Sequence, residues 1–130
     1  MIPEQTRPTG EGRRILIVED DADLREALSE VLRDEGYAVT SAADGQEALD
    51  RLRRELRPSL ILLDLTMPVM NGWQFRAEQR QDPDLSEIPV VVLSAGEHLA
   101  EQMIAIGIDE FVHKPIELDH LLKKIERYCA

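Results

Sequence analysis

The sequence predicts an α/β fold in which five parallel strands form one sheet with helices on both faces. Three observations lead there. Unbroken apolar runs stand between turn residues, at Ile15-Leu16-Ile17-Val18, at Leu60-Ile61-Leu62-Leu63 and, around one proline, from Ile88 to Leu93. Runs of this length suit strands buried on both faces. Between them lie segments whose apolar residues recur at helical spacing. Strand and helix alternate five times along the chain, which implies a parallel sheet built through right-handed crossovers.

Residues 1–12 (MIPEQTRPTGEG) are polar and hold two prolines and two glycines, so they read as a flexible arm ahead of one domain at 13–130. The first strand leaves Arg13 and runs into Glu19, Asp20 and Asp21. In the first helix Leu24, Ala27, Leu28, Val31 and Leu32 form one stripe; Asp21 or Asp23 caps its start and Gly36 stops it. Tyr37 to Ser41 is a short strand with β-branched and aromatic content. Asp44 precedes a second helix whose Ala48, Leu49, Leu52 and Leu56 share a face, ending before Pro58. The third strand runs straight into Asp64. A loop through Thr66-Met67-Pro68 and Asn71 leads to a helix from about Gly72 to Gln81, broken by Pro83. The strand from Ile88 to Leu93 enters Ser94-Ala95-Gly96. A helix with Leu99, Met103 and Ile104 ends at Gly107; Phe111-Val112 is the heart of the last strand, followed by His113-Lys114-Pro115. Leu118, Leu121, Leu122 and Ile125 form the stripe of the final helix. Five strands of this kind fit the flavodoxin-like doubly wound order 2-1-3-4-5, whose switch point lies between the first and third strands.

A chain of 130 residues fits one domain with a real core. Fifteen basic against 26 acidic side chains give a net charge of −11. Such a surface repels phosphate backbones and anionic lipid, so neither nucleic acid nor a membrane is expected as a direct partner. Hydrophobic residues make up 43% in strongly patterned segments, which argues against disorder. Cys129 is the single cysteine, so no intramolecular disulfide forms and a reducing compartment is expected. No apolar run approaches a membrane span, and the start lacks a signal peptide's apolar core. The expected location is cytoplasmic.

In this fold the polar residues after strands one, three, four and five converge on one sheet edge: Glu19-Asp20-Asp21, Asp64, Ser94 and Lys114. Clustered carboxylates repel one another. A hard divalent cation relieves this, and Mg²⁺ takes one or two carboxylates together with water and phosphate oxygens. Lys114 and Ser94 then offer a positive charge and a hydroxyl to an anion beside the metal. Metal, carboxylate nucleophile, ammonium and hydroxyl are the requirements of phosphoryl transfer. Asp64 is the nucleophile of choice because its strand is the most central. Each residue also has a plain structural use. The acidic run can serve the first helix's dipole, Ser94 can cap a helix and Lys114-Pro115 can form a turn. Their joint placement at four strand ends is what those separate uses do not explain.

The motifs ILIVEDD, LILLDLTMPVMNG, VVVLSA and FVHKP, in this order, resemble the receiver domain of bacterial two-component response regulators over Arg13 to Ala130. The resemblance implies that Asp64 is the phosphoacceptor, supplied by a sensor histidine kinase or a histidine phosphotransfer protein. It implies Mg²⁺ held by Asp20 and Asp64 directly, by the Thr66 backbone carbonyl, and by Glu19 through water. Ser94 and Lys114 would hold the phosphoryl oxygens. Ser94 and Phe111 would act as the switch, and the face formed by the fourth helix, fifth strand and fifth helix would control a downstream protein effector. Thr66 and Gly96, two residues beyond the phosphoacceptor and the serine, stand where the family tunes phosphoryl lifetime. The implied role is a signalling domain with self-phosphorylation and self-dephosphorylation activity and not a turnover enzyme. Met1 and the closing helix lead to the expectation of a stand-alone domain. His113 is expected on an outward side of its strand, and Trp73 in helix packing. Two alternatives compete: an Mg²⁺-dependent aspartyl phosphohydrolase, against which Thr66 stands where such enzymes carry a second acid, and an unphosphorylated receiver-like interaction module.

Overall fold

The computed structural model describes residues 13–54, 57–65, 67, 69–94, 99–108 and 110–129, with the backbone alone for 99, 100 and 102. In chain order the elements are β1 (Arg14–Val18), α1 (Ala22–Asp34), β2 (Ala38–Ala42), α2 (Gly45–Arg54), β3 (Leu60–Asp64), α3 (Gly72–Gln81), β4 (Val90–Ser94), α4 (Leu99–Ala105), β5 (Phe111–His113) and α5 (Leu118–Cys129). The arm at 1–12 and Leu56 lie outside the described residues.

The sheet runs β2-β1-β3-β4-β5, every pair parallel. This is the order the sequence predicts. From β1 the chain steps outward to β2, then back past β1 to β3 and on to β5. Right-handed crossovers make that reversal of direction a change of face. Accordingly Leu28 and Leu32 of α1 pack with Leu121 and Ile125 of α5 on one side, against Ile15, Ile17, Leu60, Leu62, Val91 and Leu93. Ala48, Leu49 and Leu52 of α2, Phe75 of α3 and Met103 of α4 cover the other side, against Leu16, Val18, Ile61, Leu63 and Val92. β3 is buried along its whole length because it is central and covered twice. Each of its Leu and Ile side chains contributes about 1.5–3 kcal/mol by leaving water.

Helix ends follow local chemistry. The Asp21 side chain accepts from the N–H groups of Asp23 and Leu24 at 3.0 and 3.2 Å, capping α1. Gly36, at φ +98°, ends that helix in the left-handed region. Asp44 accepts from the Glu47 N–H at 2.9 Å at the start of α2. Asn71 and Gln74 form a reciprocal capping box on α3.

Several predicted details shift. β2 begins at Ala38, and Tyr37 is buried ahead of it beneath the Arg13 guanidinium, 4.7 Å above the ring. β4 begins at Val90, because Pro89 has no N–H for the ladder; Ile88 is buried before it. On α1, Ala27 faces solvent and Ser29 is buried instead, its hydroxyl satisfied by the Arg25 carbonyl at 2.8 Å. Ile104 of α4 is 77% exposed, and Leu118 in the first turn of α5 is also exposed. Among the described side chains of α4, Met103 is the buried one.

Burial raises the Tyr37 phenol and the Cys129 thiol above their ordinary values, for Tyr37 with added repulsion from Cys129. The folded state therefore keeps protons that the unfolded chain releases. The stability this linkage provides is present below the ordinary thiol and phenol values and is lost as pH rises through the raised ones. The expected result is a urea midpoint that falls across that window, less steeply in a Tyr37→Phe, Cys129→Ala double variant. Equal slopes in the two proteins would contradict it.

Candidate functional site

The C-terminal ends of the strands are level, with Val18 beside Leu63, Asp64 beside Leu93 and Ser94 beside His113. Residues one step beyond β1 and β5, and the last residues of β3 and β4, therefore share one edge. The acidic run after β1 divides into three tasks there. The Glu19 N–H donates to the Ala42 carbonyl at 3.0 Å, which turns its side chain inward, only 1% exposed. Asp20 points to solvent. Asp21 caps α1, one of the two caps the sequence offers, and is not among the three residues whose ligand oxygens group together.

Asp64 is 4% exposed. Ligand oxygens of Glu19, Asp20 and Asp64 lie within 4.8 Å of one another. Lys114 Nζ sits between the buried pair, 3.0 Å from Glu19 Oε1 and 3.5 Å from Asp64 Oδ1. Its own N–H donates to the Ser94 carbonyl at 2.8 Å, which locks the base of the lysine to β4. Burial pulls the Lys114 ammonium down, but the contact with Glu19 and the charge of Asp64 outweigh it and hold its pKa above the ordinary value. The ammonium therefore stays charged throughout the neutral range, and the stability it lends is lost only above about pH 10.5.

One ammonium facing three carboxylates leaves the edge negative. Among the described residues, Glu19 Oε1 has the Lys114 ion pair at 3.0 Å and no donor in hydrogen-bond geometry. A buried carboxylate oxygen short of a donor, beside two more carboxylates, fits a hard divalent cation with its hydrating water. Thr66 and Gly96 lie outside the described residues. Ser94 is buried at the end of β4, next to the strand that carries Asp64. Phe111 is half-buried against the core cluster that includes Met103 of α4. His113 is exposed as expected, and its ring meets the edge of Phe111 at 4.9 Å and 85°. Trp73 packs on the same core as Phe111, as expected.

Sequence reasoning missed two contacts. One is the Glu19–Lys114 ion pair, shorter than the pair with Asp64. The other is Arg25, whose Nη1 donates to the main-chain carbonyls of Glu19 at 2.7 Å and Asp20 at 3.4 Å. A cation in the opening turns of α1, where the helix dipole does not favour it, is the available signal.

The loop after Asp64 is held under strain. Val69 adopts φ +65° with its side chain 80% exposed. It is fixed there because the next carbonyl, of Met70, accepts from the Gly45 N–H at 2.9 Å and Asn71 caps α3. A β-branched residue in the left-handed region costs on the order of 1–3 kcal/mol. Val69→Asn is expected to raise stability by about 1 kcal/mol, since Asn tolerates this region and little burial is lost. An unchanged or lower urea midpoint would show that the loop is not strained at this residue.

Residues 15–126 match the family model described as the response regulator receiver domain. The chain belongs to this family. Among curated proteins the receiver domain is similar to the DNA-binding response regulator MtrA of Mycolicibacterium paratuberculosis, 39% identical over 115 residues that cover 87% of this chain and 49% of MtrA. The chain thus spans about half the length of that relative. Among solved structures it is similar to the chemotaxis protein CheY4 of Vibrio cholerae, 32% identical with a TM-score of 0.80, covering 88% of this chain and 97% of that one. It is also similar to the receiver domain of the sensor histidine kinase PA1611 of Pseudomonas aeruginosa PAO1, 28% identical with a TM-score of 0.81, covering 92% and 98%. That structure holds a magnesium ion coordinated in the active site cleft. Among the described residues of the present receiver domain, no helix is long and apolar enough to cross a membrane.

Proposed function

We propose that this receiver domain accepts a phosphoryl group on Asp64 from a phosphohistidine of a sensor histidine kinase or histidine phosphotransfer protein, in an Mg²⁺-dependent reaction. The observation that carries the reading is the grouping of Glu19, Asp20 and Asp64 oxygens within 4.8 Å of one another at the sheet edge, with Lys114 paired to Glu19 and Asp64. Asp20 and Asp64, with the Thr66 carbonyl and with Glu19 through water, would hold Mg²⁺, which neutralises charge between the carboxylate and the incoming phosphoryl group. An Asp64 carboxylate oxygen forms the new bond to phosphorus as the bond from phosphorus to the donor imidazole breaks, and that electron pair leaves with the imidazole. Lys114, held charged by its buried carboxylates, balances the phosphoryl oxygens. The Ser94 hydroxyl donates to one of them.

The added charge draws Lys114 and Ser94 towards the phosphoryl group, and Phe111 follows into the space vacated beneath α4. The α4–β5–α5 face then changes its preference for a downstream protein effector. Water later cleaves the acyl phosphate and restores Asp64. The domain would also take phosphoryl groups from small acyl phosphates without a kinase, while remaining a signalling domain of the cytoplasm. Its charge of −11 opposes direct contact with nucleic acid or anionic lipid.

The test is intact mass after incubation with acetyl phosphate. One added phosphoryl group per chain with Mg²⁺, and none with a chelator in its place, is the expected result. Multi-turnover hydrolysis of unrelated phosphoesters without a stable adduct would overturn the reading in favour of a phosphohydrolase.

A further inference from the structure

We propose that Arg25 is a positioning residue for the acidic pair, clamping the main chain of Glu19 and Asp20 so that the two side chains diverge into a buried and an exposed metal-facing carboxylate. The proposal rests on the reading of the site given above and extends it to a residue that touches neither substrate nor metal.

Arg25 is half-buried on α1. In a chain with 26 carboxylates its guanidinium could be expected on one of them. Instead Nη1 donates to the Glu19 carbonyl at 2.7 Å and the Asp20 carbonyl at 3.4 Å, and among the described residues no carboxylate lies within ion-pair distance of it. A single charged donor thus engages two successive peptide units where the chain leaves β1. Charge-assisted bonds of this kind are stronger than neutral ones.

The opposite side of that segment is also tied. The Glu19 N–H is held by Ala42 at 3.0 Å, and Glu19 Oε2 accepts from the Asp21 N–H at 3.2 Å. With the carbonyls held by Arg25, rotation of either peptide unit is opposed. Glu19 therefore stays turned towards Lys114, and Asp20 stays turned outwards. The Ser29 hydroxyl on the Arg25 carbonyl braces the helix at the same turn.

Electrostatics alone and positioning predict opposite signs, which makes the test decisive. Removing a cation beside an acidic cluster tightens Mg²⁺ binding if Arg25 acts only through its charge. If it acts by holding the carbonyls, its loss weakens binding, and outer residues that orient metal ligands typically account for 10–100-fold in affinity. The experiment is calorimetric titration of the full chain with Mg²⁺ for the wild type, Arg25→Met and Arg25→Lys, each also unfolded in urea without metal. The expected result is roughly tenfold weaker Mg²⁺ binding in Arg25→Met, with Arg25→Lys in between because it keeps a charged donor. Binding in Arg25→Met as tight as or tighter than the wild type overturns the proposal, including the case where only the urea midpoint falls. A wild type that binds Mg²⁺ and takes up the phosphoryl group while Arg25→Met matches it sinks the clamp alone. A wild type that does neither overturns the underlying reading, and the clamp with it.

Discussion

Asp64→Asn is expected to abolish phosphoryl uptake from acetyl phosphate while making the metal-free protein more stable. The two effects share one cause. The amide keeps the shape of the carboxylate but loses the nucleophilic anion, so no adduct forms on intact mass. It also removes one of the three carboxylates whose oxygens lie within 4.8 Å. Lys114 keeps its closer partner, Glu19 at 3.0 Å, and gives up the longer contact to Asp64 at 3.5 Å. Relief of repulsion therefore outweighs the lost pairing, with a gain of about 1 kcal/mol, the scale of a Coulomb interaction between like charges about 4 Å apart in water. Mg²⁺ should act in the same sense on the two proteins but to very different extents. At tenfold over its dissociation constant it stabilises the wild type by about 1.4 kcal/mol through preferential binding to the folded state, and Asp64→Asn by much less. Urea unfolding with and without Mg²⁺ reads both quantities. A variant that still acquires the phosphoryl group would move the acceptor to another residue, and one that is less stable without metal would mean that the carboxylates are not in conflict.

Gly72→Ala should cost about 3 kcal/mol, at the upper end of overpacking effects. A Cβ there would stand 2.6 Å from the Asp64 carbonyl oxygen and 2.7 Å from Leu65 Cα. Both are backbone atoms, so no side chain can rotate aside. The Gly72 N–H is also bonded to the Leu65 carbonyl at 3.0 Å, which fixes the approach. Either α3 is displaced or the end of β3 moves, and the second takes Asp64 away from Lys114. Phosphoryl uptake should slow along with the loss of stability. Gly36→Ala is the internal comparison. It lies at φ +98° with its nearest non-local atom 3.7 Å away, so its cost is that of the backbone conformation alone, about 1–2 kcal/mol. If Gly72→Ala proved as mild as Gly36→Ala, the close approach of α3 to the Asp64 loop would not be a constraint.

Periodicity made the elements legible and left their edges uncertain. The alternation of single-run strands with amphipathic helices specifies a doubly wound sheet because few topologies satisfy short right-handed connections. It does not specify how each helix is rotated against the sheet. Ala27, Ile104 and Leu118 all fit an apolar stripe in sequence, yet the sheet is finite and helices on it touch along a narrow line, so residues at the stripe's border face water. Ser29 enters the core because its hydroxyl can bond the preceding turn, a possibility no hydropathy pattern reveals. Pro89 delayed β4 for a reason visible in the sequence, the missing N–H.

The chain itself dictated which residue types reach the sheet edge. Strand length places Asp64 at the end of β3, Ser94 at the end of β4, and Glu19 and Lys114 one step beyond β1 and β5. Only the tertiary structure decided how they divide the work. The register between strands brings Lys114 closer to Glu19 than to Asp64, the cap of α1 falls to Asp21 and not to Asp23, and α1 delivers Arg25 to the carbonyls of the acidic pair. Local propensity carries information over a few residues, whereas these contacts join residues brought together by the packing of the whole sheet.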